Sequence, residues 1–130
     1  MNTKQLFFVG ASILASTLGG VVAAQERQER YVQIAEIEID PAQLEDYKAA
    51  VAEHAETAIR AEPGVLVLYA VQEKDNPTRI RVFEVYASTA AYGAHLEAPH
   101  FKKYKAVTEK MVKSLKLVQT TAIALAAKAQ

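Results

Sequence analysis

The residues of this chain best suited to proton chemistry are its three histidines, His54, His95 and His100. An imidazole titrates near neutrality and serves as acid or base. His54 falls on the apolar stripe of a helical segment, where a polar ring must find a partner or face a cavity. It is either a core histidine bonded to backbone or a pocket-wall group that orients a substrate oxygen or takes its proton. His95 lies one turn beyond Ala91 and Tyr92, and its alternatives are the same chemistry or a capping and packing role. His100 follows Pro99 at a helix start, where the positive helix end favours the neutral ring. A surface or capping role is its alternative.

Other side chains divide the same way. Tyr69, Tyr86 and Tyr104 each join an apolar ring to one hydroxyl, which suits either core filling or an aromatic-binding pocket. Tyr86 reads as core, and Phe101 as core or pocket wall. Glu84 stands mid-strand on the side of Ile80, Val82 and Tyr86, where an unpaired charge is costly. The sequence therefore predicts an ion pair for it with a basic residue of a neighbouring strand or subunit. No metal site is expected. Two histidines five residues apart fall on different faces of one helix, and no carboxylate or thiol completes a familiar ligand set. Lys102, Lys103 and Lys105 read as a solvated helix face. There is no glycine-rich phosphate loop, nucleophile elbow or dinucleotide fingerprint.

The elements that must position these groups follow from periodicity. Tyr31–Ile39 alternates apolar and polar residues and reads as a strand. Asp40-Pro41 opens a helix running to Glu62, with Leu44, Tyr47, Val51, His54 and Ala58 on one face. Glu62-Pro63-Gly64 stops it. Val65–Gln72 is apolar on both faces and reads as a central strand, with Val65, Val67, Tyr69 and Val71 on one side and Leu66, Leu68 and Ala70 on the other. After a turn at Glu73–Thr78 come a strand at Arg79–Ala87 and a short helix at Thr89–Glu97 capped by Ser88. A further helix opens at Pro99, its stripe running through Phe101, Tyr104, Thr108, Met111 and Leu115. Leu117–Leu125 is the expected last strand. The order is β-α-β-β-α-β, an α+β ferredoxin-like arrangement with both helices on one face of an antiparallel sheet. The helices cover only that face, yet the middle strands are apolar on both. A second copy packing sheet against sheet is the economical cover, so a homodimer is expected.

Composition narrows the classes. The 130 residues suit one domain, with 51% hydrophobic and 23% charged residues. Fifteen basic residues balance fifteen acidic ones, without the basic excess of a nucleic-acid protein. The absence of cysteine removes disulfides, thiol catalysis, iron–sulfur clusters and zinc fingers. The beginning is a different kind of sequence. Lys4, the apolar run Leu6–Leu18, small residues at Val22 and Ala24, and the polar QERQER form the layout of a secretory signal peptide. Cleavage after Ala24 is expected, which leaves a domain at 25–130, periplasmic or secreted and off the membrane. An uncleaved anchor over Leu6–Ala24 is the alternative.

Glu62-Pro63-Gly64-Val65-Leu66, then Tyr69, Glu84-Val85-Tyr86, His95, Pro99-His100-Phe101 and Tyr104, resemble in order and spacing the antibiotic biosynthesis monooxygenase (ABM) family. The similarity is greatest to its quinol monooxygenase branch and covers essentially the whole mature chain. The resemblance implies a dimeric α/β barrel of ferredoxin-like units with a pocket between helices and sheet. It also implies oxygenation of a small aromatic phenol or quinol by O2 without a cofactor. His54 and His95 would then be catalytic, with Tyr69, His100, Phe101, Tyr104 and Met111 binding substrate. The heme-degrading branch relies on a pocket Trp that this chain lacks. Two other roles stay open on the same fold: a non-catalytic small-molecule-binding or stress-response dimer, and an isomerase acting on a signal molecule.

Overall fold

The computed structural model describes residues 29–129. The expected signal peptide at 1–24 lies outside the described residues. Four strands form one antiparallel sheet: β1 (Tyr31–Ile39), β2 (Val65–Gln72), β3 (Arg79–Tyr86) and β4 (Val112–Thr120), in the order β2-β3-β1-β4. Among the described residues three α-helices accompany the sheet: α1 (Leu44–Ala61), α2 (Thr89–Glu97) and α3 (Pro99–Thr108). This is the ferredoxin-like α+β arrangement. The sheet of one chain is open, with β2 and β4 as its edges.

Local chemistry sets the helix ends. Asp40 accepts a hydrogen bond from the Ala42 N–H at 3.0 Å, which caps a 3₁₀ turn at Pro41–Gln43 ahead of α1. Glu62 leaves the helix in an extended conformation because Pro63 follows it. Ser88 caps α2 by accepting from the Ala91 N–H. Ala98, extended ahead of Pro99, separates α2 from α3. Gly64 permits a close approach here: a Cβ on it would meet the Ala91 Cβ at 2.7 Å, so this glycine lets the start of β2 pass beside α2.

The inner face of the sheet, under the helices, carries Ala35, Ile37 and Ile39 from β1 and Ile80, Val82 and Tyr86 from β3. These pack against Tyr47, Val51 and Ala58 of α1. The even alternation expected for β2 is broken by an irregularity between Val65 and Val67. Val65 pairs with Tyr86 and Leu68 with Glu84, so both point inward, while Leu66 is left exposed. A bulge inserts one residue and flips the facing of those before it.

The C-terminal strand also differs from expectation. It spans Val112–Thr120, not Leu117–Leu125, and α3 ends at Thr108. Met111 and Leu115 fit a helical stripe by spacing, but pairing with β1 decides the matter: Leu115 opposes Ile37 and Leu117 opposes Ala35. Short apolar runs satisfy both periods until a partner strand is known. The strand β3 ends at Tyr86, one residue before the expected Ala87.

The outer face keeps the exposed apolar surface anticipated for it. Tyr69, Phe83, Ile34 and Val118 lie opposite one another across all four strands. Tyr69 is 59% exposed and Phe83 38%. Among the described residues no helix is long and apolar enough to cross a membrane.

Candidate functional site

A cavity of about 130 Å³ lies between the helices and the inner face of the sheet. Ala35, Ile37, Val51, Leu68 and Val82 give it apolar walls, and half-exposed Leu115 and Leu117 of β4 line its open side. Its polar groups come from separate elements: His54 from α1, Tyr92 and His95 from α2, Tyr104, Lys105 and Thr108 from α3, Gln33 from β1 and Glu84 from β3.

His54 is 6% exposed, and its Nδ1 is buried with no hydrogen-bond partner. Tyr104 stacks on it, ring centroids 4.6 Å apart and planes within 12°. The Tyr104 hydroxyl is turned away to the Tyr47 hydroxyl at 2.7 Å. Burial first, then the nearby His95 and His100, hold the His54 ring down at about 4 against an ordinary 6.5. Near neutral pH it is therefore an uncharged ring, able to accept a hydrogen bond.

His95 is almost fully buried, and its Nδ1 lies 2.7 Å from Oε2 of Glu62. The same oxygen lies 2.6 Å from Nε2 of His100. Burial works against the charged carboxylate, but the bonds from the two rings outweigh it and hold Glu62 below the usual range. With Nδ1 engaged, Nε2 is the His95 nitrogen left for a substrate. A carboxylate that fixes one imidazole nitrogen so that the other can work is the logic of an oriented base.

The expectation that no carboxylate joins the histidines is corrected here. His95 and His100 stand on different helices, split at Ala98, so the one-helix argument does not apply. Glu62 then brings the three donor atoms within 4.8 Å of one another, a set able to hold a divalent cation. The 2.6–2.7 Å spacings are those of charge-assisted hydrogen bonds. For Glu84, the ion pair expected with a neighbouring strand is corrected as well. Glu84 makes no ion pair among the described residues, but accepts hydrogen bonds from Gln33 Nε2 at 3.2 Å and from the Tyr86 hydroxyl. Both donors lie on the inner face, and Lys105, which lines the same cavity, makes no ion pair with it.

Of the residues named from sequence, the cavity brings together His54, His95, Phe101 and Tyr104. His100 stands behind Glu62 and does not line the cavity. Met111 packs on the edge of the core instead. Tyr69 faces the opposite side of the sheet, because its neighbour Leu68 takes the inward position. Glu62 was missed as a functional residue. Its signal was present in the Glu62-Pro63-Gly64 motif, which marks both a helix stop and a carboxylate fixed at that stop.

The family model for antibiotic biosynthesis monooxygenases matches residues 30–107. The chain belongs to this family. A crystal structure of a Bacteroides thetaiotaomicron protein, provisionally named an antibiotic biosynthesis monooxygenase, is 45% identical to this ABM protein. It covers 78% of this chain and 97% of its own, with a TM-score of 0.75. A Lactobacillus acidophilus NCFM protein, provisionally named a monooxygenase, is 30% identical over 73% of this chain, with a TM-score of 0.70, and this ABM protein spans 45% of that longer one. A third, from Nitrosomonas europaea, is 26% identical over 74% of this chain and 92% of its own, with a TM-score of 0.70. No curated protein matches the ABM chain.

Proposed function

We propose that this ABM protein oxygenates a phenol or hydroquinone with O2 in the cavity between its helices and sheet. The observation that carries this reading is the meeting of two differently prepared histidines at one apolar cavity. His54 offers an unpartnered buried nitrogen, and His95 is held by Glu62.

The chemistry uses the substrate as its own reductant. Its hydroxyl proton passes to a histidine, with His95 the oriented base and His54 the neutral acceptor that aligns the ring. The phenolate gives one electron to O2, forming a phenoxyl radical and superoxide. These combine at a ring carbon bearing hydrogen, and the resulting peroxide anion takes back the first proton. Loss of that carbon's hydrogen to a histidine breaks the O–O bond and forms the second carbonyl. The departing hydroxide recovers this last proton as water. One oxygen atom enters the ring, the other becomes water, and the substrate supplies all four electrons. The protein contributes deprotonation, orientation and exclusion of water.

The apolar outer face supports a homodimer, and the leader-like first 24 residues support export to the periplasm or beyond. The test is oxygen uptake by chelator-treated protein with a panel of hydroquinones and naphthols. Uptake that falls in His95→Gln and His54→Leu supports the reading. No uptake above buffer with any of them overturns it.

A further inference from the structure

We propose that Glu62, His95 and His100 form a site for a divalent transition-metal cation, and that filling it turns the cavity-facing nitrogen of His95 from a proton acceptor into a donor. The site stands on its own geometry. The loss of a base that follows rests on the oxygenation reading of the adjoining cavity.

The first observation is the donor set. Two imidazoles and one carboxylate come from the end of α1, from α2 and from the start of α3, and their donor atoms lie within 4.8 Å of one another. Imidazole nitrogens favour zinc, iron, nickel or copper over calcium and magnesium. Oε2 of Glu62 stands 2.7 Å from His95 Nδ1 and 2.6 Å from His100 Nε2. Zinc holds such ligands at about 2.0–2.2 Å, which sets tetrahedral donors about 3.3–3.5 Å apart. The carboxylate has only to draw back by less than about 1 Å to admit the ion.

The second is charge and access. Among the described residues no lysine or arginine pairs with Glu62. The side chains of Glu62 and His100 are each 15% exposed and that of His95 only 2%. A largely enclosed carboxylate held by two N–H donors is a charge that a cation would balance. Its Oε1 accepts no hydrogen bond among the described residues and keeps contact with solvent, so an ion can reach the site from outside.

The third is position. His95 lines the cavity, whereas Glu62 and His100 do not. The ion would therefore sit behind the His95 ring, away from substrate. At present Nδ1–H donates to Glu62 and Nε2 is the bare acceptor. An imidazole coordinated through Nδ1 carries its proton on Nε2. Binding removes the proton from Nδ1 and places one on Nε2, so the ring stays neutral and no net proton is released. His95 can then donate to a substrate oxygen but cannot take its proton.

The test starts from the full chain freed of metal by a chelator. Zinc chloride is titrated in by calorimetry, and nitrogen NMR of the histidine rings is recorded before and after zinc. One zinc per chain is expected, with coordination shifts at His95 Nδ1 and His100 Nε2 and a proton on His95 Nε2. Glu62→Gln and His100→Gln should each weaken binding by about tenfold or more. The spectra come from the unaltered protein, so a variant that fails to fold leaves the test intact. No binding at submillimolar zinc, or zinc bound without shifts at these two nitrogens, overturns the proposal. Undiminished binding by the folded variants also overturns it. Oxygen uptake with hydroquinone should fall by about tenfold or more with zinc and return with chelator. Uptake untouched by seated zinc overturns the switch. Absence of uptake from metal-free protein removes the oxygenation alone, and the binding and NMR results still decide the site.

Discussion

The Glu62 carboxylate lies 2.7 Å from Nδ1 of His95, across 33 residues of chain. The contact exists because Pro63 ends α1 at Glu62 while α2 brings His95 to the same end of the layer. Glu62 touches no cavity space of its own and acts through the ring it holds. Glu62→Gln retains an acceptor but loses the charge. The expected result is a kcat for hydroquinone lower by about tenfold or more, with KM within about twofold. Oxygen uptake at varied substrate concentration checks it. A loss of thermal stability with kcat unchanged would make the bond purely structural.

Much of this fold was legible because its signals are local. Asp40-Pro41, Pro63 and Ser88 mark their helix ends directly, and β1 and β2 begin and end where the sequence places them. The facing of His54 followed from the Tyr47, Val51, Ala58 stripe. The remainder needed partners distant in sequence. The position of β4 is decided by pairing with β1, the inward turn of Leu68 by a bulge, and the bonds of Glu84 by Gln33, its partner on the neighbouring strand 51 residues away in sequence. Glu62 shows the limit most clearly: its residue type and motif were visible, but its contact with two histidines on two other helices was not.

The neutrality of His54 makes stability depend on pH. Its folded value of about 4 lies below the ordinary 6.5, so the unfolded chain binds more protons between these values. The contribution is complete above pH 6.5 and is lost as the pH falls toward 4. Between pH 7 and pH 5 this amounts to about 2 kcal/mol. Glu62, His95 and His100 face the same ring and remain in the variant, so a comparison isolates His54. Urea denaturation at both pH values should show His54→Leu losing less stability on acidification than the unaltered protein. Equal losses would contradict the buried neutral ring.

Gly64 tests the packing that positions His95. A Cβ there would lie 2.7 Å from that of Ala91, and neither atom can swing aside. Gly64→Ala must push α2 away from the start of β2, at a cost of about 1–3 kcal/mol. Ala91→Gly removes the opposing atom, so the double variant should recover part of the loss. Thermal denaturation of the two single variants and the double reads this coupling. Strict additivity would mean that the two positions do not press on one another.

The row Tyr69, Phe83, Ile34 and Val118 runs across the whole sheet on the face away from the helices. An apolar band of this kind usually marks an interface. A second sheet laid on it would bury Tyr69 and Phe83, two large aromatic side chains suited to anchoring such a contact. It would also close the open sheet of one chain into a shared barrel. Charge placed at the centre of the row should therefore separate the copies while leaving the helix-covered core intact. Sedimentation at micromolar concentration is expected to give twice the chain mass for the unaltered protein and a single chain mass for Phe83→Lys, with the circular dichroism of the two alike. A monomer in the unaltered protein would leave the band without this partner, and a dimer that survives Phe83→Lys would place the interface elsewhere.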